Sequence, residues 1–80
     1  MADFILFGTA NCHLCEEAEQ LLADAGIDFQ MADIIDDTEW QAKYGLLIPV
    51  LLHVESQRRL EWPFDRLQLE DFFVMVDSRA

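Results

Sequence analysis

Residues 4–18 read Phe4-Ile5-Leu6-Phe7-Gly8-Thr9-Ala10-Asn11-Cys12-His13-Leu14-Cys15-Glu16-Glu17-Ala18, and the pattern changes twice within them. Phe4 to Phe7 is an unbroken apolar run closed by Gly8, as in a strand covered on both faces rather than a half-exposed one. Gly8 to Asn11 is a turn of small and polar side chains. From Cys12 onward the spacing is helical. Leu14, Ala18, Leu21, Leu22 and Ala25 fall on one face, and Glu16, Glu17, Glu19, Gln20 and Asp24 take the rest. Gly26 is placed to end this helix with a left-handed C-cap. A buried strand, a short turn and a helix that starts on two nearby cysteines set the architecture.

The remaining elements follow outward from this stretch. Ile27-Asp28-Phe29-Gln30-Met31 alternates and predicts a second strand. Asp36-Asp37-Thr38-Glu39 is a helix start, with acids favoured near the positive end of the helix dipole, and the helix runs past Trp40 and Tyr44 to stop near Gly45. Val50-Leu51-Leu52-His53-Val54, directly after Pro49, predicts a third strand. Glu55 to Arg58 is a polar turn, and Arg59-Leu60-Glu61-Trp62 a fourth strand ended by Pro63. Asp65, with Gln68 three residues on, matches a capping box, and Leu69, Phe72, Phe73 and Val76 continue as a helical stripe. The order β-α-β-α-β-β-α makes an α/β domain: a parallel βαβ half followed by a hairpin and a helix, giving a four-stranded mixed sheet with helices on both faces. Residues 1–80 are expected to form a single domain.

Cys12-His13-Leu14-Cys15 carries the chemistry. A thiol at a helix N-terminus meets unsatisfied N–H groups and the positive end of the macrodipole, and both favour thiolate, the attacking form in disulfide exchange. Thiols so placed, including those of CxxC motifs, have their pKa lowered from ~8.5 to about 3.5–7.5. Cys12 is therefore the expected nucleophile. Cys15, almost one turn further in, is the resolving thiol that can open a mixed disulfide from within the same chain. His13, when protonated, would favour the neighbouring thiolate and is expected to tune it. Glu16 and Glu19 follow the two cysteines by one helical turn each and work against the thiolate. The same pair could also be half of a zinc site or simply buried. Structural zinc needs four ligands, however, and the other candidates are His13 within the loop and His53 alone on a strand, so no metal site is expected.

Composition narrows the partners. The chain is 52% hydrophobic with 11% aromatic residues, enough to build a core despite a net charge of −11. Residues 1–42 hold ten acids and no Lys or Arg, a poor surface for nucleic acid and a good one for basic partners. The longest apolar run, Leu46–Leu52, contains Pro49 and falls well short of the ~20 residues that span a bilayer. With an acidic Met1-Ala2-Asp3 start and two cysteines, the expected setting is the cytoplasm and the expected state a monomer without a bound cofactor. Trp40, Tyr44, Trp62 and Phe64 are expected mainly in the core, and Arg58, Arg59 and Arg66 in solvent.

With CxxC between the first strand and the first helix, and Ile48-Pro49-Val50 opening the third strand, the chain resembles the glutaredoxin-like proteins of the thioredoxin superfamily. Gly8 to Ala18 is the most specific part and is similar to small bacterial members. The resemblance implies a minimal thioredoxin fold and a thiol–disulfide oxidoreductase acting on a protein disulfide or a thiol peptide. It places Pro49 as a cis-proline facing the active-site disulfide, with the Ile48 backbone pairing to bound substrate. A non-catalytic thioredoxin-fold adaptor or a thiolate metal-binding module is the alternative. Glutathione-using members typically carry a Lys or Arg just before the motif, where this chain has Gly8 to Asn11, and a Gly-Gly turn where it has Trp62-Pro63-Phe64. Asp65 is left as the one candidate to meet glutathione's amino end. With the acidic N-terminal half, these departures disfavour glutathione as the reductant.

Overall fold

The apolar run at the start of the chain becomes the interior of the sheet. In the computed structural model, which describes residues 3–77, the elements are β1 (Phe4–Gly8), α1 (His13–Asp24), β2 (Gln30–Asp33), α2 (Thr38–Tyr44), β3 (Val50–His53), β4 (Arg58–Glu61) and α3 (Arg66–Asp77). The strands lie in the order β2-β1-β3-β4. β1 pairs parallel to β2, with Gly8 opposite Asp33, and antiparallel to β3, with Phe7 opposite Val50. β3 and β4 form the antiparallel hairpin, with Val50 opposite Glu61.

Side-chain alternation along β1 divides the core in two. Leu6 points to the face covered by α1 and α3, where it clusters with Ala18, Leu22, Leu51, Leu69, Phe72 and Val76. Phe7 points to the face of α2, with Ile34, Tyr44, Val50 and Leu52. The chain thus has the mixed four-stranded sheet with helices on both faces that its pattern predicts. Tyr44 stacks on Phe7 at 4.6 Å between ring centroids, and Trp40 meets the same ring edge-on at 5.2 Å. The aromatic residues of α2 are thereby used inside the fold.

Local rules fix the element ends. At the end of α1, Gly26 N–H donates to Ala23 O and Ile27 N–H to Leu22 O, with Gly26 at φ 73°. This is a Schellman motif, and its apolar contact is supplied by Ile27 and Leu22, which share one core cluster. Asp37 caps α2 by accepting from Glu39 N–H at 2.8 Å. At α3, Gln68 N–H donates to Asp65 Oδ1 at 2.8 Å and Asp65 N–H to Gln68 Oε1 at 3.0 Å, a reciprocal capping box.

Three sequence expectations shift. The second strand was expected at 27–31 but runs from Gln30 to Asp33, because Ile27 is spent on the helix cap and the pairing with β1 starts only at Gln30 opposite Ile5. A 3-10 turn, Ile34–Asp36, then leads into α2. Leu14, placed by its spacing on the apolar face of α1, is 46% exposed, and the inward positions are Cys15, Ala18 and Leu22. The fourth strand starts and ends one residue early, leaving Trp62 outside it. The Ile48–Pro49 and Trp62–Pro63 peptide bonds are both cis.

Candidate active site

The turn after β1 places the two cysteines. Asn11 occupies the left-handed region at φ 61°, a conformation Asn tolerates because its short polar side chain can bond locally. The reversal brings Cys12 to the N-cap of α1 with extended backbone angles, and its Sγ accepts from Cys15 N–H at 3.2 Å. One of the unsatisfied donors of the helix start is therefore directed at sulfur. Cys12 and Cys15 are joined as a disulfide, with their Cα atoms 5.2 Å apart. They differ in access. Cys12 is partly exposed, whereas Cys15 is 3% exposed and packs inward beneath it. The reachable sulfur is the one at the positive end of the helix, and the buried one is the internal partner.

The neighbouring residues fall into place by sheet register. Gly8 ends β1 directly beneath the turn. Its partner in β2 is Asp33, and one step past the Phe7–Val50 pair the antiparallel register sets Pro49 level with it. Pro49 is fully buried and its carbonyl accepts from Trp62 N–H at 3.2 Å, which ties the end of the hairpin to the start of β3. Ile48 is half-buried, and its N–H, like that of Leu47, donates to Tyr44 O, so this loop is held to the end of α2. Asp65 is exposed and serves as the cap of α3, with one carboxylate oxygen on Gln68 N–H. His13 points away along α1, with its side chain 84% exposed and its Nε2 3.2 Å from Glu17 Oε2.

Two features of the site were not read from the sequence. The first is Gly8, which the sequence marked only as a strand end but which lies against Cys15. The second is a cavity of about 410 Å³ beside the cysteine loop, lined by Gly8, Thr9, Ala10, Met31, Asp33 and Asp36 among others. Its charged groups are carboxylates, one of which, Asp33, also caps the 3-10 turn through Ile35 N–H at 3.0 Å. The described cations lie elsewhere and are engaged. Lys43 pairs with Glu39, Arg59 with Glu61 and Arg66 with Glu70, while Arg58 Nη1 lies 3.5 Å from Met75 Sδ. Among the described residues no group of three or more His, Cys, Asp or Glu side chains could hold a metal ion, and no helix is long and apolar enough to cross a membrane.

Comparison with known proteins agrees with this architecture. Residues 3–73 match the model of the glutaredoxin-like domain family. The chain is 37% identical to a structural-genomics target protein, XcR50, from X. campestris, with 88% of this chain and 93% of that one covered and a TM-score of 0.81 to its X-ray structure. Against the solution structure of the same target the identity is 38%, the coverage 91% and 92%, and the TM-score 0.78. Thioredoxin 1 from Thermosipho africanus TCF52B matches at 13% identity over 94% of this chain and 97% of its own, with a TM-score of 0.57, a likeness of fold. No curated protein matches the sequence. The chain belongs to the glutaredoxin-like family, with the thioredoxin fold and a CxxC pair.

Proposed function

We propose that this member of the glutaredoxin-like family is a dithiol oxidoreductase that reduces disulfides in proteins or thiol peptides. The observation that carries the reading is the asymmetry of the Cys12–Cys15 pair: a partly exposed sulfur capping a helix N-terminus, bonded to a buried one. In the reduced protein, Cys12 thiolate attacks one sulfur of the substrate disulfide, forming a mixed disulfide and expelling the first substrate thiolate, which takes up a proton. Cys15, deprotonated, then attacks Cys12 Sγ, closing the internal disulfide and expelling the second substrate thiol. Two electrons and two protons pass to the substrate, and an external thiol reductant restores Cys12 and Cys15. The helix start lowers the cost of Cys12 thiolate at both ends of the cycle, as attacker and as leaving group.

Ile48 and Pro49 are the expected seat of the substrate backbone, paired as an added strand through the Ile48 carbonyl, since the Ile48 N–H is bonded to Tyr44 O and the Pro49 carbonyl to Trp62 N–H. The carboxylate-lined cavity beside the loop favours partners with basic residues flanking the disulfide and disfavours anionic glutathione. Asp65, exposed at the start of α3, is assigned to meeting a substrate amine, and His13 to tuning the thiol from the exposed face.

The test is turnover of a peptide disulfide by wild type and by Cys12→Ser, supplied in turn with glutathione and with thioredoxin reductase. Turnover that depends on Cys12 is expected. Thiols that stay unreactive while one equivalent of metal survives dialysis would instead make the chain a thiolate metal-binding module.

A further inference from the structure

Among the described residues, His53 is the one polar side chain buried in the fold, and the redox pair does not use it. It ends β3 opposite Phe4, the first residue of β1, and so stands at the end of the sheet away from Gly8 and the cysteine loop. Its Nδ1 is bound into the β3–β4 turn. Ser56 N–H donates to Nδ1 at 3.3 Å, and Ser56 Oγ, 2.7 Å from the same nitrogen, accepts from Arg58 N–H at 3.2 Å. An N–H aimed at Nδ1 places the lone pair on that nitrogen, so the ring hydrogen is on Nε2. The same bonds orient the imidazole, and the Phe4 ring lies against it at 5.1 Å between centroids.

Nε2 has no partner among the described residues, although every fully buried side-chain nitrogen and oxygen among them has one. It is therefore the edge of His53 that is not enclosed, on a residue only 6% exposed. His53 lines a cavity of about 310 Å³ between this end of the sheet and the last turns of α3, lined also by Asp3, Phe4, Phe73, Val74 and Val76. Phe4 and Phe73 meet there at 4.7 Å between centroids, tilted by 51°. Small-molecule sites have this make-up, an apolar enclosure of roughly 300–1,000 Å³ with a few fixed polar groups. A donor held beside apolar walls favours an acceptor that arrives on an apolar body, because a hydrogen bond is stronger away from water. The exposed Asp3 carboxylate is the charged group of the lining and disfavours an anion.

We propose that this cavity is a binding site for a small uncharged aromatic molecule carrying a hydrogen-bond acceptor, its ring against Phe4, Phe73 and Val76 and its acceptor on His53 Nε2–H. The site stands apart from Cys12 and Cys15 and does not rest on the dithiol reading.

The experiment is a nuclear magnetic resonance titration of the purified, oxidised full chain near neutral pH with benzamide, benzoate and toluene. Benzamide is expected to shift the His53 Nε2 resonance and the Phe4, Phe73 and Val76 amides to saturation, with Overhauser contacts from its ring to the Val76 methyls. The Cys12 and Cys15 amides are expected to stay in place. Benzoate should bind about tenfold more weakly than benzamide. His53→Phe keeps an aromatic wall and removes the donor, so benzamide is expected to lose about tenfold in affinity and toluene less than about twofold. Equal losses for the two would overturn the proposal. Should that variant not fold, the wild type decides: no saturable shift at His53, shifts centred on the cysteine loop, or benzoate binding as tightly as benzamide overturns it. No step of the test reads a thiol, so its failure and a failed disulfide-reduction assay are separate results.

Discussion

The two sulfurs differ more in surroundings than in sequence. Cys12 is reachable and receives an amide from the helix start, whereas Cys15 shares its burial with Ala18 and Leu22. The difference assigns separate fates to their variants. Cys15→Ser is expected to accumulate a one-to-one mixed disulfide with a peptide disulfide substrate, visible as a stable adduct by intact-protein mass spectrometry. Cys12→Ser is expected to form none, since the remaining thiol is buried. Adduct formation at Cys15 in the Cys12→Ser protein would reverse the assignment. His13 and Glu17 are both largely exposed, so their ion pair contributes at most a few tenths of a kcal/mol, on the order of other exposed i,i+4 pairs.

At the scale of elements, stability at the helix ends is concentrated in a few short-range bonds. Asp65→Ala removes the acceptor that holds Gln68 N–H and is expected to cost about 1 kcal/mol in urea denaturation. Gln68→Ala should cost less, and the double variant less than the sum, because the two bonds are reciprocal. Strict additivity would mean that the box is not a unit. Gly26→Ala places a Cβ in the left-handed region at φ 73° and is expected to cost roughly 1–2 kcal/mol in the same measurement. These features were legible in the sequence because each is written within about four residues: the box in Asp65 and Gln68, the C-cap in Gly26, the helix start in Cys12. What depended on packing between elements was not. Leu14 follows the apolar spacing of α1, but the helix is turned by the burial of Cys15, and a periodicity cannot say which of two adjacent residues leads its stripe. Ile27 alternates like a strand residue, yet its N–H is claimed by Leu22 O. The closeness of Gly8 to Cys15 and the convergence of Asp33 on the cysteine loop arise only once β1 has paired with β2 and α1 has folded back on the sheet.

For the whole molecule, charge and chemistry lie on the same half of the chain. The first 42 residues carry every charge as an acid, and the cysteines are among them. Encounter with a cationic peptide disulfide should therefore be accelerated at low ionic strength and slowed as salt shortens the Debye length from ~30 Å at 0.01 M to about 8 Å at 0.15 M. The expected signature is opposite slopes: kcat/KM for a Lys- or Arg-flanked disulfide falls with added salt, and that for oxidised glutathione rises. Parallel slopes would show that the acidic surface does not steer substrate. The core offers a contrasting readout that touches no thiol. Phe72, 2% exposed and in contact with Phe4 at 6.4 Å between ring centroids, is expected to cost about 3–5 kcal/mol when changed to alanine, measured on the oxidised protein.

The sheet order has a further consequence. With β1 and β3 in the middle, the borders of the sheet are β2 and β4, each four residues long. β4 reads Arg58-Arg59-Leu60-Glu61, and β2 ends on Asp33. A foreign strand zipping onto either border would find few rungs, and on β4 it would have to strip solvent from a row of ions for each rung it gained. On the proposed function, the same fold that would admit extended polypeptide beside its sulfur is thereby guarded against admitting it along its flanks.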